Sequence, residues 1–228
     1  MKDKAVVITG SSRGLGAVLA RQLGAKGAKV VVSSAHHIEE LQKLAQEIKG
    51  LAVVTDVTKE EDLQALAQKA VAEFGRIDVW INNAGIWLEE SPIEAVDIAE
   101  FRRVMDVNLF GSVFGTRVAL VQMKGQGGGV IVNIVSSAAL RGRNLIAPYA
   151  TSKWALRGFT DSVREENRDT NIKIIGVYPG GIKTHLFDGM EPAELADYMS
   201  PESVAEKIIA NLEQENPQEE LIMKRTGP

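Results

Sequence analysis

Seven short runs rich in Val and Ile alternate with six longer stretches of helical periodicity, and this alternation constrains the chain more than any other feature. The runs are residues 4–9 (KAVVIT), 29–33 (KVVVS), 51–55 (LAVVT), 78–82 (DVWIN), 129–135 (GVIVNIV), 173–178 (KIIGVY) and 220–224 (ELIMK). They are apolar on both faces, which is how strands read when helices cover them on both sides. Helical patterns occupy residues 15–25, 38–48, 59–74, 98–123, 149–166 and 201–213. Thr58 with Glu61 has capping-box spacing, and Ser200-Pro201 places proline at a first helical position. The expected fold is α/β: one doubly wound parallel sheet of about seven strands, helices on both faces, in a single domain over residues 1–228.

Composition narrows the class. The chain has 228 residues, no cysteine and a formal charge of −4. Thiolate metal sites, disulfide scaffolds and cysteine nucleophiles are therefore excluded. Basic residues form no run longer than a pair, so no nucleic-acid footprint shows. No signal peptide and no apolar stretch of membrane-spanning length is read, which leads to an expectation of a soluble cytoplasmic protein. The three histidines lack metal-ligand spacing, and no metal site is expected.

The first strand runs into Thr9-Gly10-Ser11-Ser12-Arg13-Gly14-Leu15-Gly16 and then a helix. A helix that starts at the carboxyl edge of a parallel sheet offers free N–H groups to a phosphate. Gly10 permits the tight turn, Gly14 close approach of backbone to a ligand, and Gly16 close helix–strand contact. The spacing is G-x-x-x-G-x-G rather than G-x-G-x-x-G, so this loop alone leaves an ordinary glycine-rich turn open beside a Rossmann-like dinucleotide site. The second strand ends Ser33-Ser34-Ala35-His36-His37 with no carboxylate before Glu39. An acid there would bind a ribose 2′-hydroxyl; Ser33, Ser34, His36 and the permanent cation Arg13 suit a 2′-phosphate instead. NADP(H) is thus favoured over NAD(H), although Ala35 stands where an arginine is usual.

Further motifs carry a resemblance. Asp56-Val57 follows the third strand, Asn82-Asn83-Ala84-Gly85 the fourth, and Pro179-Gly180-Gly181-Ile182-Lys183-Thr184 the sixth. Ser136 ends the fifth strand, and Tyr149 and Lys153 share a helix face at four-residue spacing. Taken singly, each has a plain structural reading as cap, strand end or surface pair. Together and in order, from about residue 4 to residue 210, they make the chain resemble the short-chain dehydrogenase/reductase family.

The resemblance implies an NADP(H)-dependent oxidoreductase that reduces a ketone or aldehyde, or oxidises the matching secondary alcohol. In it Tyr149 is the general acid/base, Lys153⁺ and the charge of the oxidised nicotinamide lower the phenol's pKa, Lys153 binds the nicotinamide ribose, and Ser136 polarises the carbonyl. Asn108 holds a water that relays protons from Lys153. Asp56 and Val57 border the adenine. Asn83, Ala84 and Gly85 lie along the cofactor, and Pro179, Gly180, Ile182 and Thr184 close on it. Trp87, Ala138, residues 140–144 including Arg141 and Asn144, and a lid over 185–199 with Leu186, Phe187 and Met190 face the substrate. Arg141 and Arg143 either pair a substrate anion or lie solvated on the surface. The substrate expected is a small 3-oxo or 3-hydroxy acid or related carbonyl, with a 3-oxoacyl-(acyl carrier protein) as the alternative. A non-catalytic NADP(H)-sensing protein is the competitor from another class, disfavoured because Tyr149 and Lys153 are both kept. A homodimer or homotetramer is expected, packed through the helical patterns at 98–123 and 149–166.

Overall fold

A computed structural model describes residues 1–187, 189 and 198–223. The strands are β1 (Ala5–Thr9), β2 (Lys29–Ser34), β3 (Leu51–Val54), β4 (Val79–Asn82), β5 (Gly129–Ile134), β6 (Ile172–Pro179) and β7 (Glu220–Met223). They form one sheet in the order β3-β2-β1-β4-β5-β6-β7. Every neighbouring pair is parallel. The chain winds outward from β1 in one direction and from β4 in the other, so a crevice opens between the carboxyl ends of β1 and β4.

Two apolar layers sandwich the sheet. On one face α1 (Gly14–Ala25), α2 (Ile38–Ile48) and α7 (Pro201–Leu212) bury Leu19, Leu23, Leu41, Leu44, Val204 and Ile208 against alternate strand residues such as Val6, Ile8 and Val30. On the other, α3 (Glu60–Phe74), α5 (Gly111–Gln126) and α6 (Ala147–Glu166) cover Val7, Val31, Trp80, Ile131 and Ile174. Successive strand side chains point to opposite faces, so both-face burial requires the unbroken apolar runs seen in the sequence.

Three local expectations need correction. The 98–123 pattern is not one α-helix: α4 (Ile98–Met105) and α5 are joined by a π-helical turn, Asp106–Phe110. Its cause is visible at Asn108, whose side chain leaves the helix surface to bond the Ile86 backbone. The Thr58–Glu61 capping box does not form, because the Thr58 hydroxyl and amide both donate to the Asp56 carboxylate, at 2.7 and 3.0 Å. Finally, α6 starts at Ala147, with Pro148 in its first turn, two residues before the expected start. Ser200 does cap α7, accepting from the Ser203 amide.

The stretch Ile98–Gln126 is long and apolar enough to cross a bilayer by length and composition, contrary to the expectation of no such stretch. Here Ala119 and Met123 of α5 are fully buried in the apolar layer that covers the sheet.

A buried polar network ties β4 and β5 to α5 and α6. Asn82 on β4 lies opposite Asn133 on β5. Asn82 accepts from the Trp80 indole at 2.7 Å and donates to Asn133 Oδ1 at 2.8 Å and to Thr116 on α5 at 3.0 Å. Asn133 in turn donates to Thr160 on α6 at 2.9 Å. All five residues are buried, so each amide is obliged to find its partner. Asn133→Ala removes one hydrogen-bond partner from Asn82 and one from Thr160, which keep Thr116 and the Leu156 carbonyl; urea unfolding should show a loss of roughly 1–3 kcal/mol, about two net hydrogen bonds. An unchanged midpoint would refute the network's structural weight.

Candidate active site

The phosphate loop is built by the end of β1. Gly10 has φ +62°, and a Cβ there would come within 2.6 Å of Ala84 Cα, so only glycine lets β4's loop lie across it. Thr9 Oγ1 accepts from the Asn83 and Ala84 amides at 3.1 and 3.2 Å. The Asn83 side chain donates to the carbonyls of Thr9 and Gly10, both at 2.9 Å. Gly16 sits behind this clamp rather than against a strand: a Cβ would meet Asn83 Nδ2 and the Gly10 carbonyl at 2.6 Å. It therefore shapes the loop without lining the cleft.

A cleft of about 930 Å³ runs over the carboxyl edge from β2 to β6. Gly10, Ser12, Arg13, Gly14 and Leu15 line its centre, with Asn83, Ala84 and Gly85 opposite. Ser34, His36, Asp56 and Val57 line one end, with Ala35 and His37 beside them. Pro179, Gly180, Ile182 and Thr184 form a wall, and Tyr149, Lys153 and Ser136 stand at the other end with Trp87, Ala138, Asn144, Leu186 and Phe187. Most of the expected site residues thus meet in one crevice.

The exceptions are informative. Ser33 is fully buried; its hydroxyl donates to the Ile8 carbonyl at 3.3 Å and its amide to Ser11 Oγ at 2.8 Å, so it faces away from the cleft. Arg141 does not reach the cleft, whereas Arg143, two residues on, lines it. Met190 lies outside the described residues, as does most of the expected lid. The ends of that segment are pinned together by a parallel bridge from Ile182 to Met199. Tyr198, inside the expected 185–199 segment but not singled out within it, lines the cleft; its ring packs edge-on against Phe187 at 5.5 Å. It follows a run with no periodicity, which left no signal to find it by.

Asn108 is fully buried. Its Oδ1 accepts from the Ile86 amide at 2.8 Å, and its Nδ2 donates to the Ile86 carbonyl and to Ser152 Oγ at 3.0 and 3.1 Å. Both amide protons are thereby committed to protein acceptors, so a water held by Asn108 would donate to Oδ1 or to its backbone carbonyl. Ser152 passes the link to the Tyr149 carbonyl at 2.7 Å, which couples the π turn to the backbone of α6.

The electrostatics are set by burial. Lys153 is only 4% exposed and donates to the Ile134 carbonyl at the end of β5 at 2.9 Å. Burial pushes its ammonium down to about 8. Burial also pushes the Tyr149 phenol up to about 12, with a hydrogen bond from Ser136 opposing the shift and the neighbouring Tyr198 adding to it. Burial thus dominates the phenol, whereas the expected lowering also invokes the nicotinamide charge. The ammonium bonds the Ile134 carbonyl and lies 5.6 Å from the Tyr149 ring centre. Asp56 is held low: partial burial pulls upward, but the Thr58 hydrogen bonds and the nearby Lys59 and His36 prevail.

The cleft fits a dinucleotide. The first turn of α1 has no side-chain cap and no acidic residue, and it opens beside Gly14, whose φ is +59°. Uncapped amides at a helix N-terminus next to a bare backbone are a ready receptor for phosphate oxygens. Among the described residues no group of three His, Cys, Asp or Glu is placed to hold a metal.

Comparison with known proteins agrees with this geometry. The family described as short chain dehydrogenase matches residues 4–195. An uncharacterised oxidoreductase of Bacillus subtilis is 36% identical over 224 residues; the match covers 92% of this chain but 62% of that longer protein. A trans-4-hydroxycyclohexanecarboxylate dehydrogenase of Sinomonas cyclohexanicum is 36% identical over 200 residues, covering 83% of this chain and 76% of its own. Among solved structures, an alcohol dehydrogenase of Thermococcus sibiricus complexed with 5-hydroxy-NADP superposes with a TM-score of 0.87. It is 28% identical and covers 98% of this chain and 97% of its own.

Because the folded protein resists phenol ionisation, Tyr149 stays protonated through the range where an exposed tyrosine titrates near 10. The difference in absorbance at 295 nm between wild type and Tyr149→Phe should stay flat up to pH 10 and rise only towards 12. A phenolate signal already present at pH 8 would contradict the burial argument.

Proposed function

The chain belongs to the short-chain dehydrogenase family, and from that premise we propose a nicotinamide-dependent oxidoreductase that interconverts a small ketone or aldehyde with its alcohol. The carrying observation is the convergence of Ser136, Tyr149 and Lys153 at one end of a cleft whose other end suits a dinucleotide. We read residues 1–228 as one domain, with 185–199 covering the substrate.

The nicotinamide, when bound, supplies or accepts a hydride. Arg13, Gly14 and Leu15 would hold the pyrophosphate, Asp56 and Val57 the adenine, and Ile182 and Thr184 the nicotinamide end. Tyr149 gives its proton to the substrate oxygen during reduction and takes one back during oxidation. A phenol still protonated at neutral pH is ready for the reductive direction. Ser136, hydrogen-bonded to that phenol, is placed to donate to the same substrate oxygen and orient the carbonyl. Lys153 carries most of its charge at pH 7 and faces the place where the nicotinamide ribose would lie. Asn108 acts as a positioning residue: through Ser152 it fixes the backbone that carries Tyr149.

NADP(H) is favoured. With Ser33 turned inward, this preference rests on Ser34, His36 and Arg13 and on the missing carboxylate at the end of β2. Phe110, Val121 and Trp154 stay exposed on and beside α5 and α6, which supports assembly of identical chains through those helices.

The direct test is NADPH oxidation at 340 nm across cyclic ketones, diketones, 3-oxo acids, 3-oxoacyl thioesters and aldehydes. Turnover of at least one carbonyl class is expected, and no turnover of any with either cofactor would overturn the reading. In the same assay Arg13→Ala should lower the NADPH-to-NADH ratio of kcat/KM by about tenfold, the size of one charge-assisted hydrogen bond. A ratio that does not move removes Arg13 from the preference.

A further inference from the structure

Three buried side-chain atoms lack a hydrogen-bond partner among the described residues: Trp87 Nε1, Asn167 Oδ1 and Tyr178 Oη. Of these residues only Trp87 lines the cleft. The chain treats its other two indoles differently. Trp80, fully buried, donates to Asn82 at 2.7 Å, and Trp154 is 45% exposed to water. Trp87 has neither remedy: it is 9% exposed, and its N–H is sealed from solvent.

Its surroundings place it at the reacting end. The indole stands 4.8 Å from the Tyr149 ring, centre to centre, tilted by 60°. Phe187 packs edge-on against its other side at 5.1 Å. A phenylalanine would satisfy this aromatic packing without burying a donor. An unpaired buried indole N–H favours any rearrangement of the site that brings it an acceptor, and a bound ligand is a source of one.

We propose that the Trp87 indole N–H is a specificity-determining donor that pairs with a second oxygen on the substrate, separate from the oxygen handled by Tyr149. The substrate class is therefore an alcohol or ketone that bears another acceptor close by. A carboxylate and a neutral carbonyl supply the same acceptor chemistry. Arg143 and Glu90 both line the mouth beyond, so charge at the rim does not choose between them. This assignment rests on the oxidoreductase reading above.

The test uses the whole ¹⁵N-labelled protein with NADP⁺. Its three indole N–H signals are assigned with Trp154→Phe and by the slow solvent exchange expected of the locked Trp80. Cyclohexanol, 4-hydroxycyclohexanone and 4-hydroxycyclohexanecarboxylate are then titrated in turn. The Trp87 proton should move downfield with one or both acceptor-bearing compounds and not with cyclohexanol; which of the two moves it identifies the anion or the neutral group. In turnover, Trp87→Phe should reduce the preference for that compound over cyclohexanol by about tenfold in kcat/KM, about 1.4 kcal/mol. A Trp87 signal unmoved by all three compounds, or a preference unchanged in the variant, overturns the proposal. A moving signal without turnover of any carbonyl would instead sink the oxidoreductase reading and leave the donor in place. If Trp87→Phe does not fold, the wild-type titration still decides.

Discussion

Every strand of this sheet ends on the same side, and the backbone groups at that edge have no further strand to bond. The protein closes the edge with side chains. Asn83 takes up the carbonyls of Thr9 and Gly10, Thr9 takes up the amides of Asn83 and Ala84, and Lys153 takes up the carbonyl of Ile134. The first of these join β1 to β4 where the chain reverses its winding, and the last ties α6 to the end of β5. They also leave the α1 amides uncapped and pointing at the crevice. The bonds that satisfy the edge therefore also shape the crevice in which a cofactor phosphate is proposed to bind.

The same closure sets the chemistry. Tying Lys153 to a strand end buries its ammonium and draws the Tyr149 helix over the edge, where the phenol is shielded as well. Burial disfavours charge on both, so the phenol rises to about 12 and the ammonium falls to about 8. The pair is thus held near a protonated phenol beside a mostly charged amine at neutral pH, the state a carbonyl reduction requires. Behind them, the Asn82–Asn133–Thr160 network and the Asn108–Ser152 link fix α6 from two directions. Side chains that never touch the cleft decide where its reacting phenol stands.

Much of this was legible in the sequence, for reasons that differ between elements. The both-face apolar runs at β1, β2 and β6 read clearly because a fully covered strand leaves no alternation. The glycine loop and the Ser136, Tyr149 and Lys153 spacing were legible because turn geometry and helix periodicity act locally. What failed depended on direction or on distant partners. At the end of β2, one-residue alternation sends Ser34 to the cleft and Ser33 into the core, and two adjacent serines do not reveal which is which. Arg141 and Arg143 sit in a loop without periodicity, so only the fold separates them. The bonds that hold Asn108 were not legible because its partners, Ile86 and Ser152, lie 22 and 44 residues away. The upward pull of burial on Tyr149 was not legible because a spacing of four residues shows proximity and not how deeply a side chain is covered.

The central claim is that the Tyr149 phenol, placed by this closed edge, transfers the proton. It is tested most directly by Tyr149→Phe, assayed for NADPH oxidation with a carbonyl that the wild type reduces, beside a titration of cofactor affinity by NADPH fluorescence. The account predicts that kcat falls by about 10²–10⁴-fold, the usual worth of a positioned general acid, with cofactor affinity changed by no more than about threefold. A variant that turns over at the wild-type rate with cofactor bound would contradict it.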